Sequence, residues 1–160
     1  MYCDGSQHQG HNKEPIAYKD THLYFRGSDN TRSHFKWLMK TYDMQNAERI
    51  VLTGASAGGI ATILWSNYFR NLLKDPSSLS VIVDSGVFAN TTFPYTKVHM
   101  MTLLGSNLFK VSNIDEKSPI EACNPKFPGE EYKCTFVQNS YEFLENKILF
   151  INSQYDSVGL

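Results

Sequence analysis

No stretch of this chain is apolar for long enough to cross a bilayer. Its first residues, Met1-Tyr2-Cys3-Asp4-Gly5, carry neither the basic flank nor the apolar core of a signal peptide. Charge bias is absent too: 15 basic and 16 acidic residues, spread along the chain, leave a formal net charge of -1. That balance argues against nucleic acid or a membrane surface as partner and suits small molecules or neutral polymers. Neither the phosphate-cradling spacing G-x-x-x-x-G-K-S/T nor the dinucleotide spacing G-x-G-x-x-G occurs. Internal repeats, low-complexity tracts and domain linkers are missing as well. What is there is 160 residues, 41% hydrophobic and 13% aromatic, enough for one core and too short for two ordinary domains.

The organising stretch is Ile50-Val51-Leu52-Thr53-Gly54-Ala55-Ser56-Ala57-Gly58-Gly59-Ile60. A mostly β-branched apolar run enters a small-residue turn and an apolar-periodic segment follows at once, which predicts strand, sharp turn and helix. Ser56 lies at the turn, flanked by Gly54 and Gly58 as G-x-S-x-G. A strand-to-helix elbow forces its central residue into strained backbone angles and presents the side chain above the sheet edge, where a serine acts as a nucleophile. The N–H of Ala57, at the new helix's N-terminus, points where an oxyanion develops when Ser56 attacks a carbonyl.

Before the elbow, residues 1–14 read as a strand end opening into a polar loop, and His22 to Gly27 as a short strand. His8 and His11 lack a nearby carboxylate or thiol cluster in the sequence and read as exposed or substrate-facing rather than as metal ligands. Ser28-Asp29-Asn30 offers helix caps, and Phe35, Leu38, Met39 and Tyr42 recur at helical spacing to about Asp43, a helix expected to pack on the sheet. After the elbow, Ile60, Ile63, Leu64, Tyr68, Leu72 and Leu73 predict a deeply buried helix ended by Asp75-Pro76. Leu79 to Val83 is the next strand, left through Asp84-Ser85-Gly86, so strand, helix and strand form a crossover in a parallel sheet. Residues 88–146 read as an insertion containing a helix interrupted at Gly105. Sheet pattern returns at Lys147 to Ile151, with an exit turn running through Asn152 to Ser157.

Serine catalysis needs a base to take the hydroxyl proton and a carboxylate to orient that base. Asp84 and Asp156 both stand at strand exits beyond Ser56. Asp156 is the expected acid, because the acid comes late in the sheet order, and Asp84 takes a structural or pocket-edge role. No histidine follows Asp156: His8, His11, His22 and His34 precede the nucleophile and His99 lies in the insertion, so no catalytic histidine is assigned within this chain.

Tyr2-Cys3-Asp4-Gly5-Ser6, Leu23-Tyr24-Phe25-Arg26-Gly27, Leu52 to Gly59, Val83-Asp84-Ser85-Gly86 and Phe150 to Ser157 stand in the order and approximate spacing of the pectin acetylesterase/Notum family, which the chain resembles from end to end. The resemblance implies an α/β-hydrolase-type fold, a mostly parallel sheet with helices on both faces. It also implies a secreted serine carboxylesterase that removes acetyl or acyl groups through an acyl-enzyme on Ser56, with Asp156 as acid, Ala57 as one oxyanion donor, and neither metal nor organic cofactor. The expected substrate is an acylated polysaccharide, lipidated protein or small ester, with no nucleic-acid partner. The family's Gly-Gly-x-Trp-Cys segment and its histidine segment are absent, so residues 1–160 read as a single partial hydrolase domain incomplete at both ends. The alternative is a non-catalytic binding or scaffold protein that keeps the fold. In a protein resembling a secreted family, Cys123 and Cys134, which bracket a Pro/Gly loop, are expected to pair, leaving Cys3 for a partner outside this chain. Asn90-Thr91-Thr92 is a glycosylation sequon consistent with secretion.

Overall fold

A computed structural model describes residues 4–88, 100–112, 114 and 119–155. The site is carried by a parallel three-stranded sheet of order β3-β4-β5, formed by Ile50–Ala55, Leu79–Asp84 and Ile148–Ile151. The register sets Ala55 opposite Asp84, and Asp84 opposite Ile151, so the C-terminal ends of all three strands meet along one edge. A separate antiparallel hairpin precedes the sheet, β1 (Ile16–Tyr18) with β2 (Thr21–Leu23). It departs from the expected single strand over 22–27: β2 stops at Leu23, and Lys19, at φ 50°, turns the chain between the two short strands.

Helix α2 (Ala57–Arg70) lies on one face of the sheet and supplies more of the core than any other element, through Ile60, Ile63, Leu64, Trp65 and Phe69. Its Ile63, Leu64 and Trp65 are at most 1% exposed, against Val81 and Val83 of β4 at 2% and 0%. Each such side chain contributes roughly 1.5–3 kcal/mol on burial, which outweighs the roughly 1 kcal/mol that a helical glycine costs, so α2 forms despite its Gly58-Gly59 start. It ends at Arg70, earlier than the Asp75-Pro76 stop: Leu72 and Leu73 donate to the carbonyls of Phe69 and Arg70, a tighter turn that still buries Leu73.

Helix α1 spans Gly27–Tyr42. Arg26 precedes its first turn and no side chain caps it, so Ser28 to Asn30 lie inside the helix rather than capping it. Phe35 meets α2 edge-on, 4.7 Å between ring centroids from Phe69, and the Arg32 guanidinium lies over Trp65 and Tyr68 at 5.1 and 4.7 Å.

Between β4 and β5 the described residues hold helix α3 (Met100–Ser112), 3-10 turns at Glu121–Lys126 and Glu131–Thr135, and the short α4 (Val137–Ser140). Gly105 does not interrupt α3; a Cβ there would stand 3.3 Å from the Tyr132 ring, so its smallness serves packing rather than helix breaking. A Cys123–Cys134 disulfide joins the two 3-10 turns, and both residues are fully buried. Asn67 of α2 ties the segment that leads into β5, donating to the Phe143 carbonyl at 2.7 Å and accepting from Glu145 N–H at 3.0 Å. Among the described residues the second face of the sheet is open: Val51, Leu149 and Ile151 remain 59%, 57% and 49% exposed.

Candidate active site

Ser56 occupies the single residue between β3 and α2, with φ 54° and ψ −121°. Such a backbone costs a non-glycine residue on the order of 1–3 kcal/mol and persists only where its surroundings impose it. Here they do. Ser56 N–H donates to the Asp84 carbonyl at 3.0 Å, and the Ser56 carbonyl accepts from Ile60 N–H at 3.0 Å. A Cβ on Gly54 would stand 2.3 Å from the Gly58 carbonyl oxygen, so only glycine lets the helix start fold back so closely on β3. A Cβ on Gly58, by contrast, would meet nothing within 4 Å. Gly59 and Gly86 exclude each other's side chains, a Cβ on Gly86 falling 2.6 Å from the Gly59 Cα, which presses α2 onto the exit of β4. The Ser56 side chain is left exposed above the strand ends, as the elbow predicts. Ala57 is the first residue of α2, so its N–H is among those a helix leaves without an intrahelical acceptor.

The Asp84 carboxylate accepts the Ser85 hydroxyl at 2.9 Å, and its main-chain carbonyl holds the elbow. Ser85, at φ 49°, donates its N–H to the Ile151 carbonyl at 2.7 Å, and the Asn152 Oδ1 accepts from Val87 N–H at 3.3 Å. Ser85 and Asn152 escaped the sequence reading as individual residues; the available signal was a small polar residue at each strand exit. Asp156, His99, Cys3 and the Asn90 sequon lie outside the described residues. The turn that leads to Asp156 is described as far as Tyr155, whose N–H donates to Ser153 Oγ at 3.1 Å.

The loop formed by residues 4–10 packs against this framework. Ser6 is fully buried, donates to the Asp4 carboxylate and accepts Gly10 N–H at 2.8 Å. The Asp4 carboxylate fills the space a side chain at Gly27 would need, a Cβ there falling 2.2 Å from Oδ2. Two separated blocks of sequence, Asp4-Gly5-Ser6 and Arg26-Gly27, are thus one structural unit. His8 is half-buried, its carbonyl accepts the Trp65 indole N–H at 3.0 Å, and burial pushes its imidazole below the ordinary value against the opposing pull of Asp4. It borders a cavity of about 420 Å³ that also reaches His34, Phe35, Trp65, Gly54 and Gly58, beside the outer edge of β3. His11 does have a carboxylate partner, distant in sequence: its Nδ1 lies 2.8 Å from Asp29. Among the described residues no three metal-ligating side chains cluster, and no helix is long and apolar enough to cross a membrane.

A family model described as Pectinacetylesterase matches residues 1–160. The chain is 31% identical over 157 residues to pectin acetylesterase 4 of Arabidopsis thaliana, and 30% identical over 158 residues to pectin acetylesterase 5 of the same plant. In both cases the match covers 97% of this chain, but only 36% and 35% of the relative. Among solved structures, the Wnt deacylase Notum from Drosophila superposes with a TM-score of 0.77 at 22% identity, over 94% of this chain and 44% of that one. That likeness shows the α/β-hydrolase-type fold.

Proposed function

The chain belongs to the pectinacetylesterase family, and from that premise we propose that it carries the nucleophile and acid of a secreted serine carboxylesterase acting on acetyl or acyl esters. The observation that supports this most is the Ser56 backbone, φ 54° and ψ −121°, at a strand-to-helix elbow with an exposed side chain. Nothing in packing alone calls for a serine in that strained position; a nucleophile presented above the strand ends does.

In this reading the Ser56 hydroxyl adds to the ester carbonyl and passes its proton to a histidine base. The tetrahedral oxyanion is met by Ala57 N–H at the start of α2, where the helix dipole favours negative charge. Collapse expels the alcohol, which takes the proton from the histidine, and leaves an acyl group on Ser56. Water, activated by the same base, then releases the carboxylic acid. Asp156 orients the base and stabilises its charged form. The histidine and the remaining oxyanion donors come from residues outside these 160, in line with the one-third share of the relatives that the chain spans. The substrate is an acylated polysaccharide, lipidated protein or small ester, and the buried Cys123–Cys134 disulfide supports an oxidising, extracellular setting.

The test is covalent labelling of the full-length protein with a fluorophosphonate, which reacts with activated serines. Modification of the tryptic peptide containing Ser56, blocked by prior incubation with an acetyl ester, is expected. An unlabelled Ser56 in folded protein would favour a non-catalytic scaffold.

A further inference from the structure

The parallel ladder between β4 and β5 ends at the pair Asp84 and Ile151. Beyond it the two chains leave the sheet for different turns, and nothing in a parallel ladder keeps such exits together. Here two further bonds continue the union. The first is main chain to main chain, Ser85 N–H to the Ile151 carbonyl at 2.7 Å. The second uses a side chain in place of the ladder: Asn152 Oδ1 accepts Val87 N–H at 3.3 Å. The turn that donates these bonds is fixed from its other side, since the Asp84 carbonyl accepts Ser56 N–H and Gly86 packs against Gly59 of α2. A continuous set of short contacts therefore runs from the nucleophile elbow, through residues 84–87, to the exit of β5.

We propose that Asn152 is a positioning residue for ester hydrolysis, holding the exit of β5, and with it the chain that continues to Asp156, at a fixed distance from the Ser56 elbow. This rests on the esterase reading above. Asn152 acts through the Val87 N–H and does not touch the reacting atoms. A neutral amide supplies the acceptor without adding a further negative charge at the exit of β5, four positions ahead of Asp156 in the sequence; a carboxylate there would favour the protonated form of a nearby base. Misplacement of a catalytic group by about 1 Å can cost on the order of 100-fold in rate, so one lateral bond at the root of the acid turn matters more to turnover than to stability.

The experiment uses full-length protein and p-nitrophenyl acetate. Asn152→Leu keeps the side chain's shape and removes the acceptor, whereas Asn152→Asp keeps an oxygen for Val87. The leucine variant is expected to lose about tenfold or more in kcat, with KM within about twofold of wild type. The aspartate variant is expected to recover at least half of the plateau kcat, with the acid limb of its pH profile moved to higher pH by the added charge. Unchanged turnover in Asn152→Leu, or equal losses in both variants, would overturn the proposal. Should the leucine variant not fold, Asn152→Ala takes its place under the same criteria. Fluorophosphonate labelling of wild-type Ser56 separates the two levels: absent labelling removes the esterase reading, and labelling with an unaffected leucine variant removes only the role of Asn152.

Discussion

The backbone N–H of Ser56 donates to the main-chain carbonyl of Asp84 at 3.0 Å, joining the elbow to the exit of the neighbouring strand. Ser56 therefore takes its orientation from β4 as well as from the strand and helix it connects, and the close backbone approaches around it are what glycine permits.

The two glycines of G-x-S-x-G should behave oppositely. Gly54→Ala forces a Cβ to within 2.3 Å of the Gly58 carbonyl oxygen and 2.5 Å of its carbon, both backbone atoms that cannot step aside. A loss of about 1–3 kcal/mol in unfolding free energy is expected. Gly58→Ala meets open space within the first turn of α2 and should be neutral or stabilising by up to about 1 kcal/mol. Urea titration of the two variants checks this, and equal destabilisation would contradict it.

The disulfide closes a short loop, with Cys123 and Cys134 11 positions apart in sequence and 6.0 Å apart between Cα atoms. Reducing it, or replacing both cysteines with alanine, should lower stability by about 2–3 kcal/mol. Thiol counting on residues 1–160 in denaturant without reductant should find at most one reactive group, at Cys3; three would refute the bridge.

His8 gives stability a pH dependence. Burial lowers its folded-state pKa below the ordinary 6.5, so between those two values the unfolded chain binds more protons than the folded one. The contribution is complete above 6.5 and is lost as pH falls from there towards the folded value. Replacing His8 with glutamine should flatten this acid-side decline in thermal midpoint, and an unchanged slope would show that another group sets it.

The sheet face left open among the described residues predicts self-association of residues 1–160 produced alone, through the exposed Val51, Leu149 and Ile151. Sedimentation at rising concentration should show oligomers that Leu149→Lys weakens. A monomer across the range, or indifference to the lysine, would count against it.

Local sequence revealed the elbow well, because small residues between a β-branched run and an amphipathic segment have few other uses. The β3-α2-β4 unit was legible for the same reason: Leu79 to Val83 reads as a strand on its own, and α2 carries its burial pattern openly. The union of Asp4 and Ser6 with Gly27 was not legible, since it depends on a contact between distant segments that no periodicity records. His11 looked partnerless for a similar reason, its carboxylate lying in α1. Arg26 ahead of α1 defeated the expectation of a polar cap, because the packing of Phe35 on α2 fixes the helix without one. Asn152 escaped notice because its significance lies in what Val87 does at another strand's exit.

The most direct test of the central claim is the turnover of p-nitrophenyl acetate by full-length protein carrying Ser56→Ala. Removing a nucleophile costs several orders of magnitude, so the rate should fall by about 1,000-fold or more while the thermal midpoint stays close to that of wild type. A folded Ser56→Ala variant that hydrolyses the ester at near the wild-type rate would contradict the account.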